Sequence, residues 1–265
     1  MNLLPAIGPD IAPTWYYFCV VTSVLIIAIS KGGFAGSTGI LAIPVMALVM
    51  PTQQMLGIMM LVLIAADVLS NLHYFREYEW KLLRWLLAGA VLGIGAGTMM
   101  IWLIGQADPS TFDRMLKASI GIICLMIVAL QVWRLTGLAV WMLPIHPVSS
   151  ATVGLVAGAV SAIAHAAGPI ILIYLLQAKL PKRKLVATAL LYTLIANPLK
   201  VPGYIALGII NTSTFRDCFW FLPLLPAGTM LGAWLNGKIP EKPFVIIMYV
   251  MATATALVMV VKAMG

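Results

Sequence analysis

Residues 31–39, Lys31-Gly-Gly-Phe-Ala-Gly-Ser-Thr-Gly39, interrupt an otherwise apolar stretch that runs from Thr14 to Met50. Four glycines in so short a span remove the Cβ restraint that keeps a helix regular, so the chain can turn tightly here. Residues 164–169, Ala-His-Ala-Ala-Gly-Pro, interrupt a second apolar stretch in the same way. Each interruption admits two readings. Either two half-helices make one broken crossing, or the chain enters, turns and returns as a hairpin.

The surroundings place both breaks in a membrane. Of 265 residues, 62% are hydrophobic and 9% charged, which leaves too little polar surface to face water. Uncharged windows that cross, or nearly cross, a hydrocarbon core of about 30 Å cover residues 14–30, 34–50, 86–104, 219–235 and 244–261. Windows 54–74 and 185–210 carry single interruptions, Asp67 and Lys200. No Lys or Arg precedes the first window, only Asp10, so it reads as a retained helix and not as a cleaved signal. Cys19, Cys124 and Cys218 show no CxxC spacing and read as small apolar fillers, with no metal site. The net charge of +8 sits at helix ends, where the positive-inside rule accounts for it without a nucleic-acid partner. With no HExxH, GxSxG or paired carboxylates, neither an enzyme nor a cofactor is expected.

Charge distribution separates the two readings of the breaks. If each break is one crossing, the chain spans eight times. Arg76, Lys81, Arg84, Arg134, Arg216 and Lys262 then face Arg114, Lys117, Lys179, Lys182, Arg183, Lys184, Lys238 and Lys242, a split of 6 to 8. If each break is a hairpin, one side keeps only Arg114, Lys117, Arg216 and Lys262, and the split becomes 10 to 4. Membrane topology favours asymmetry, so hairpins are expected. Both termini then lie outside the cytoplasm.

An offset near 130 aligns the halves: Gly39 falls near Gly168, Pro51 on Pro181, Asp67 on Asn197 and Tyr74 on Tyr204. Gly89-x-x-Leu92-Gly93 likewise matches Gly228-x-x-Leu231-Gly232. The expected fold is an all-α polytopic membrane protein of two inverted repeats, each a glycine-broken hairpin plus three transmembrane helices, with 8 to 10 membrane segments in all. The first repeat, 1–135, comprises hairpin 14–50 and helices 54–74, 85–104 and 115–133. The second, 136–265, comprises hairpin 148–178 and helices 184–206, 217–236 and 243–263.

Irregular backbone at membrane depth survives only where protein or a polar cavity covers it, so the two breaks should face each other. The first offers Gly32, Gly33, Gly36 and Gly39, hydroxyls on Ser37 and Thr38, and a helix N-terminus near Ile40. The second offers Ala166, Ala167 and Gly168, with Pro169 opening the next helix. Two helix N-termini aimed inward outline an anion site. Lys31 either pairs with an anion or snorkels to the interface; His165 joins the site or only holds backbone. Asp67, Asn71, Tyr192 and Asn197 suit a polar lining or a coupling relay, with Thr193 and Lys200 nearby as weaker candidates. Gly93, Gly95 and Gly97 read as helix-packing positions.

The breaks Gly32-Gly33-Phe34-Ala35-Gly36 with Gly39 and Pro44, and Gly158 through Gly168-Pro169 with Tyr174, resemble the sulfite exporter TauE/SafE family over nearly the whole chain. The resemblance implies a secondary transporter of sulfite or an organosulfonate such as sulfoacetate, in the cell (inner) membrane. A passive anion channel, or a cation- or proton-linked transporter organised on Asp67, remain the alternatives. Expected partners are the small anion and the lipid bilayer, with a homo-oligomer left open.

Overall fold

The computed structural model describes residues 11–33, 36, 39, 42–74, 77–106, 109–135 and 144–238, with positions 253, 257 and 261. These residues hold no strand. The helices are α1 (Pro13–Gly33), α2 (Ala42–Met46), α3 (Thr52–His73), α4 (Trp80–Ile104), α5 (Pro109–Leu135), α6 (Pro147–Ala164), α7 (Ala167–Leu176), α8 (Lys182–Ala206), α9 (Thr212–Phe219) and α10 (Leu224–Lys238). Five are long and apolar enough to cross a membrane, or six if the bent pair α9–α10 counts as one span. That is fewer than the eight to ten segments expected, and the helix expected at 243–263 falls almost wholly outside the described residues.

At both breaks the chain doubles back. Ser150 in the first turn of α6 shares a 2.8 Å hydrogen bond with the Tyr174 hydroxyl near the end of α7. Had α7 continued along α6, about 36 Å would separate those positions. In the first half, Lys31 at the end of α1 reaches Asp67 in the last third of α3. Tyr16 in the first turn of α1 lies within electrostatic reach of Asp217, to which Gln54 at the start of α3 donates at 3.3 Å. The two helices therefore run parallel, so the chain returns between them, through α2 among the described residues.

Ion pairs fix which segments share an end of the bundle. Arg183 meets Glu77 at 2.7 Å and Lys184 meets Glu79 at 2.6 Å, while the Glu79 N–H donates to Thr188 Oγ1. An eight-crossing chain would place those segments on opposite faces. At the other end the Thr52 N–H donates to Asp113 Oδ1 at 2.9 Å and Gln54 reaches Asp217.

Helix packing is set by small residues. On α4, Gly89, Gly93 and Gly97 lie against α6, where an added Cβ would fall 1.8 Å from the Ala151 carbonyl, 2.0 Å from that of Leu155 and 2.7 Å from that of Ala159. The register rises together on both helices, so they run parallel at near backbone contact, while Val91, Leu92, Met99 and Trp102 face outward. Gly95 meets nothing within 4 Å among the described residues and is no packing position there. Gly228 and Gly232 on α10 meet Ala28 and Ile29 on α1 in the same manner. α3 and α8 run antiparallel, Gly57 lying against Ile209 and Asn71 against Leu190.

Several expected boundaries are corrected. The continuous helix 217–236 is instead α9 and α10, bent by 58°. Pro223 lacks the N–H needed to continue α9 and pushes Leu222 out of helical geometry, while Asn211 starts α9 early through a capping box. α5 begins at Pro109, six residues ahead of the apolar window, because Pro suits the first helical position. Among the described residues the return arm of the first break is a five-residue helix followed by turns; Ile40, where a helix start is expected, lies outside them.

Candidate functional site: a cavity between the two breaks

α1 ends at Lys31-Gly32-Gly33, and the Gly36 N–H donates to the Ser30 carbonyl at 3.0 Å. Gly36 has φ 75°, a left-handed conformation, and a Cβ there would lie 3.2 Å from the Lys31 stem. Glycine is thus required twice over, for the turn and for the lysine packed across it. In the second break α6 ends on His165, itself left-handed at φ 49°, with its N–H on the Ser161 carbonyl. α7 then starts at Ala167 without a side-chain cap, so Pro169 is its third residue and not its first. That still falls within the first turn, where the missing N–H costs nothing.

The two turns meet across an enclosed cavity. Lys31, Gly36 and Gly39 line it from the first break, and His165, Ala167 and Gly168 from the second; Thr193, Asn197 and Ser161 complete the polar wall, and Ile27, Met59 and Leu63 the apolar one. Its free volume is about 20 Å³, room for roughly one water. A four-heavy-atom oxyanion needs more.

Two buried cations flank the cavity with different partners. Lys31, 4% exposed, has its Nζ 2.5 Å from Asp67 Oδ1 and 2.9 Å from Thr193 Oγ1. Asp67, fully buried, accepts further bonds from Thr193 Oγ1 at 2.8 Å and from Asn197 Nδ2 at 2.6 Å, the latter on Oδ2. Asn71 donates to the Asp67 and Leu190 carbonyls, tying α3 to α8. Lys200, also fully buried, donates to the Ser161 carbonyl (3.2 Å), Ser161 Oγ (3.1 Å) and His165 Nδ1 (3.0 Å). Among the described residues no carboxylate pairs with it. His165 Nε2 lies 3.1 Å from the Leu56 carbonyl, which can only accept. That nitrogen therefore carries the proton and Nδ1 is left to accept from Lys200, which fixes a neutral tautomer.

Of the residues expected at the site, Lys31, Gly36, Gly39, His165, Ala167, Gly168 and Asn197 line one cavity. Asp67 and Asn71 stand behind its wall, and Ala166 is buried as the N-cap of α7. Lys31 does not snorkel to the interface: it lines the cavity and is paired there with Asp67. Gly32 is a packing position: its Cβ would fall 2.1 Å from the Thr229 carbonyl on α10. Gly33 is buried at the end of α1 and is not part of the cavity wall. Tyr192 is fully buried outside the cavity wall, its hydroxyl without a partner among the described residues. Ser37 and Thr38 lie outside the described residues. Ser161 was not singled out by sequence, although it sits one helical turn before His165. Among the described residues no cluster of His, Cys, Asp or Glu could hold a metal.

No curated protein and no solved structure matches this chain. The family profile described as sulfite exporter TauE/SafE matches residues 21–259, nearly the whole sequence, and with that coverage the chain belongs to the TauE/SafE sulfite exporter family of membrane transport proteins.

Proposed function

We propose that the protein is a secondary transporter of a small sulfur-containing anion, sulfite or an organosulfonate such as sulfoacetate, working by alternating access around the two breaks. The observation that carries this reading is Lys200: a lysine amine at 0% exposure, beside the cavity, with no carboxylate partner among the described residues. An unpaired charge inside a membrane bundle is costly, and a bound anion relieves it. Thr193, Asn197 and the uncapped first N–H groups of α7 add donors suited to oxyanion oxygens.

The cation-carrier alternative is disfavoured because both Asp67 oxygens are already taken by Lys31, Thr193 and Asn197. Alternating access is supported by the closed cavity, which has to open before an oxyanion can enter. The inverted-repeat reading is supported by reciprocal packing. α4 lies on α6 as α10 lies on α1, both through the glycines that align between halves, and the aligned Asp67 and Asn197 bond to each other. In this reading the Lys184 end faces the cytoplasm of a cell whose inner membrane holds the protein, with both termini on the other side.

Counterflow in proteoliposomes tests the transporter. Internal unlabelled sulfite should accelerate entry of labelled sulfite, and an imposed proton gradient should drive accumulation that an uncoupler collapses. Purely downhill flux, indifferent to internal sulfite and to uncoupler, would show a channel instead.

A further inference from the structure

We propose that the cavity takes its cargo as a monoanion: bisulfite or a singly charged sulfonate fits as it is, and a dianion enters only together with one proton. The inference rests on the cavity being the anion site and follows from counting the charge that site holds.

Lys31 and Asp67 sum to zero, whether the shared proton is drawn on the amine or on the carboxylate. Thr193, Asn197 and Ser161 add donors and acceptors without charge. His165 is held neutral, with Nε2–H on the Leu56 carbonyl and Nδ1 receiving a hydrogen bond from Lys200. Lys200 meets three acceptors, matching the three N–H groups of an ammonium. The groups that contact it are Ser161 and His165 from α6; Tyr204, one turn along its own helix, lies beside the His165 ring and donates its hydroxyl to the Ala162 carbonyl. Asp67 on α3 and Lys31 on α1 act at longer range. The undescribed positions of the first break, Phe34, Ala35, Ser37, Thr38, Ile40 and Leu41, bear no ionisable side chain. Glu77, Glu79, Asp113 and Asp217 are occupied with partners at the ends of the bundle.

Among the described residues, with Lys200 as the ammonium its three contacts match, one positive charge is therefore left over, and one negative charge neutralises it. In a low-dielectric interior the neutral occupied state is favoured over either charged one. A dianion would leave the cavity negative. Among the described residues the cavity offers no free carboxylate to bind a compensating metal cation, both Asp67 oxygens being taken, so the compensating charge is assigned to a proton. Proton coupling then arises from substrate charge, without a dedicated relay.

Methanesulfonate and methylphosphonate provide the test, being close in shape while only the phosphonate changes from monoanion to dianion near neutral pH. Each is measured as a competitor of labelled sulfite on the purified wild-type protein across that range. Methanesulfonate affinity should stay constant. Methylphosphonate and total sulfite should each weaken about tenfold per pH unit once their second proton is lost. In Lys200→Met, methanesulfonate binding should fall at least tenfold. Equal methylphosphonate affinity in acid and alkali would overturn the monoanion rule, as would a parallel fall of methanesulfonate, which would place the titration on the protein. Should neither sulfite nor methanesulfonate bind at any pH, the anion site itself fails and the rule with it.

Discussion

Removing one member of the Lys31–Asp67 pair should cost far more than removing both. Asp67→Asn leaves an ammonium at 4% exposure with Thr193 and an amide oxygen in place of a carboxylate 2.5 Å away. Breaking a buried pair from one side costs about 3–5 kcal/mol, and this variant belongs at the upper end. Lys31→Met strands the carboxylate instead, but Asn197 at 2.6 Å and Thr193 at 2.8 Å still donate to it, so about 3 kcal/mol is expected. The double variant Lys31→Met/Asp67→Asn strands nothing and should be more stable than either single one. Equilibrium unfolding in mixed detergent and SDS reads all four proteins. Single-variant losses that add in the double variant to within about 0.5 kcal/mol would refute direct coupling between these side chains.

The same double variant should keep sulfite binding within a few-fold, because the pair contributes no net charge; a cation carrier built on Asp67 would lose function. Gly93→Ala should cost about 1–3 kcal/mol in the same assay, since its Cβ would sit 2.0 Å from the Leu155 carbonyl. Gly95→Ala, whose Cβ meets nothing among the described residues, should be neutral or stabilise by up to about 1 kcal/mol. Equal effects would contradict the α4–α6 interface. At the bundle end, the hydrogen bond and charge of Lys184 hold the Glu79 carboxyl below its ordinary value, more than offsetting the effect of burial. A depressed carboxylate contributes stability above its unfolded value that is lost as pH falls through the folded one. Acid should therefore loosen the 77–79 segment from α8, and Glu79→Gln should flatten that acid limb of the stability profile.

Much of this arrangement was legible in the sequence because its signals are local or cumulative. Hydropathy marked the long spans, and glycine clusters marked both turns. The excess of Lys and Arg on one set of loops gave the loop sides that Glu77–Arg183 and Glu79–Lys184 join. The bend at 220–223 was hidden because Phe219, Trp220, Phe221 and Leu222 keep the window apolar while Pro223 breaks the backbone. The partners of the buried cations were harder still. Lys31 and Lys200 are equally conspicuous in an apolar sequence, but pairing depends on helix register: parallel α1 and α3 bring Lys31 to Asp67, while α8 presents Lys200 to α6. Ser161 gave no signal, because a serine in a transmembrane helix is ordinary until a lysine is seen to reach it.

The central claim is that both breaks enclose one anion site, and substrate protection of thiols on either side of it is the most direct measurement. Cys19, Cys124 and Cys218 are buried and free, so a background with alanine at those positions can carry single reporters, Gly39→Cys and Ala167→Cys. At Gly39 an added Cβ would have Ser30 Oγ, at 3.6 Å, as its nearest neighbour among the described residues, an ordinary contact distance. Sulfite should slow modification at both positions with one common half-maximal concentration. Protection at neither position, or at one alone, would contradict a shared site.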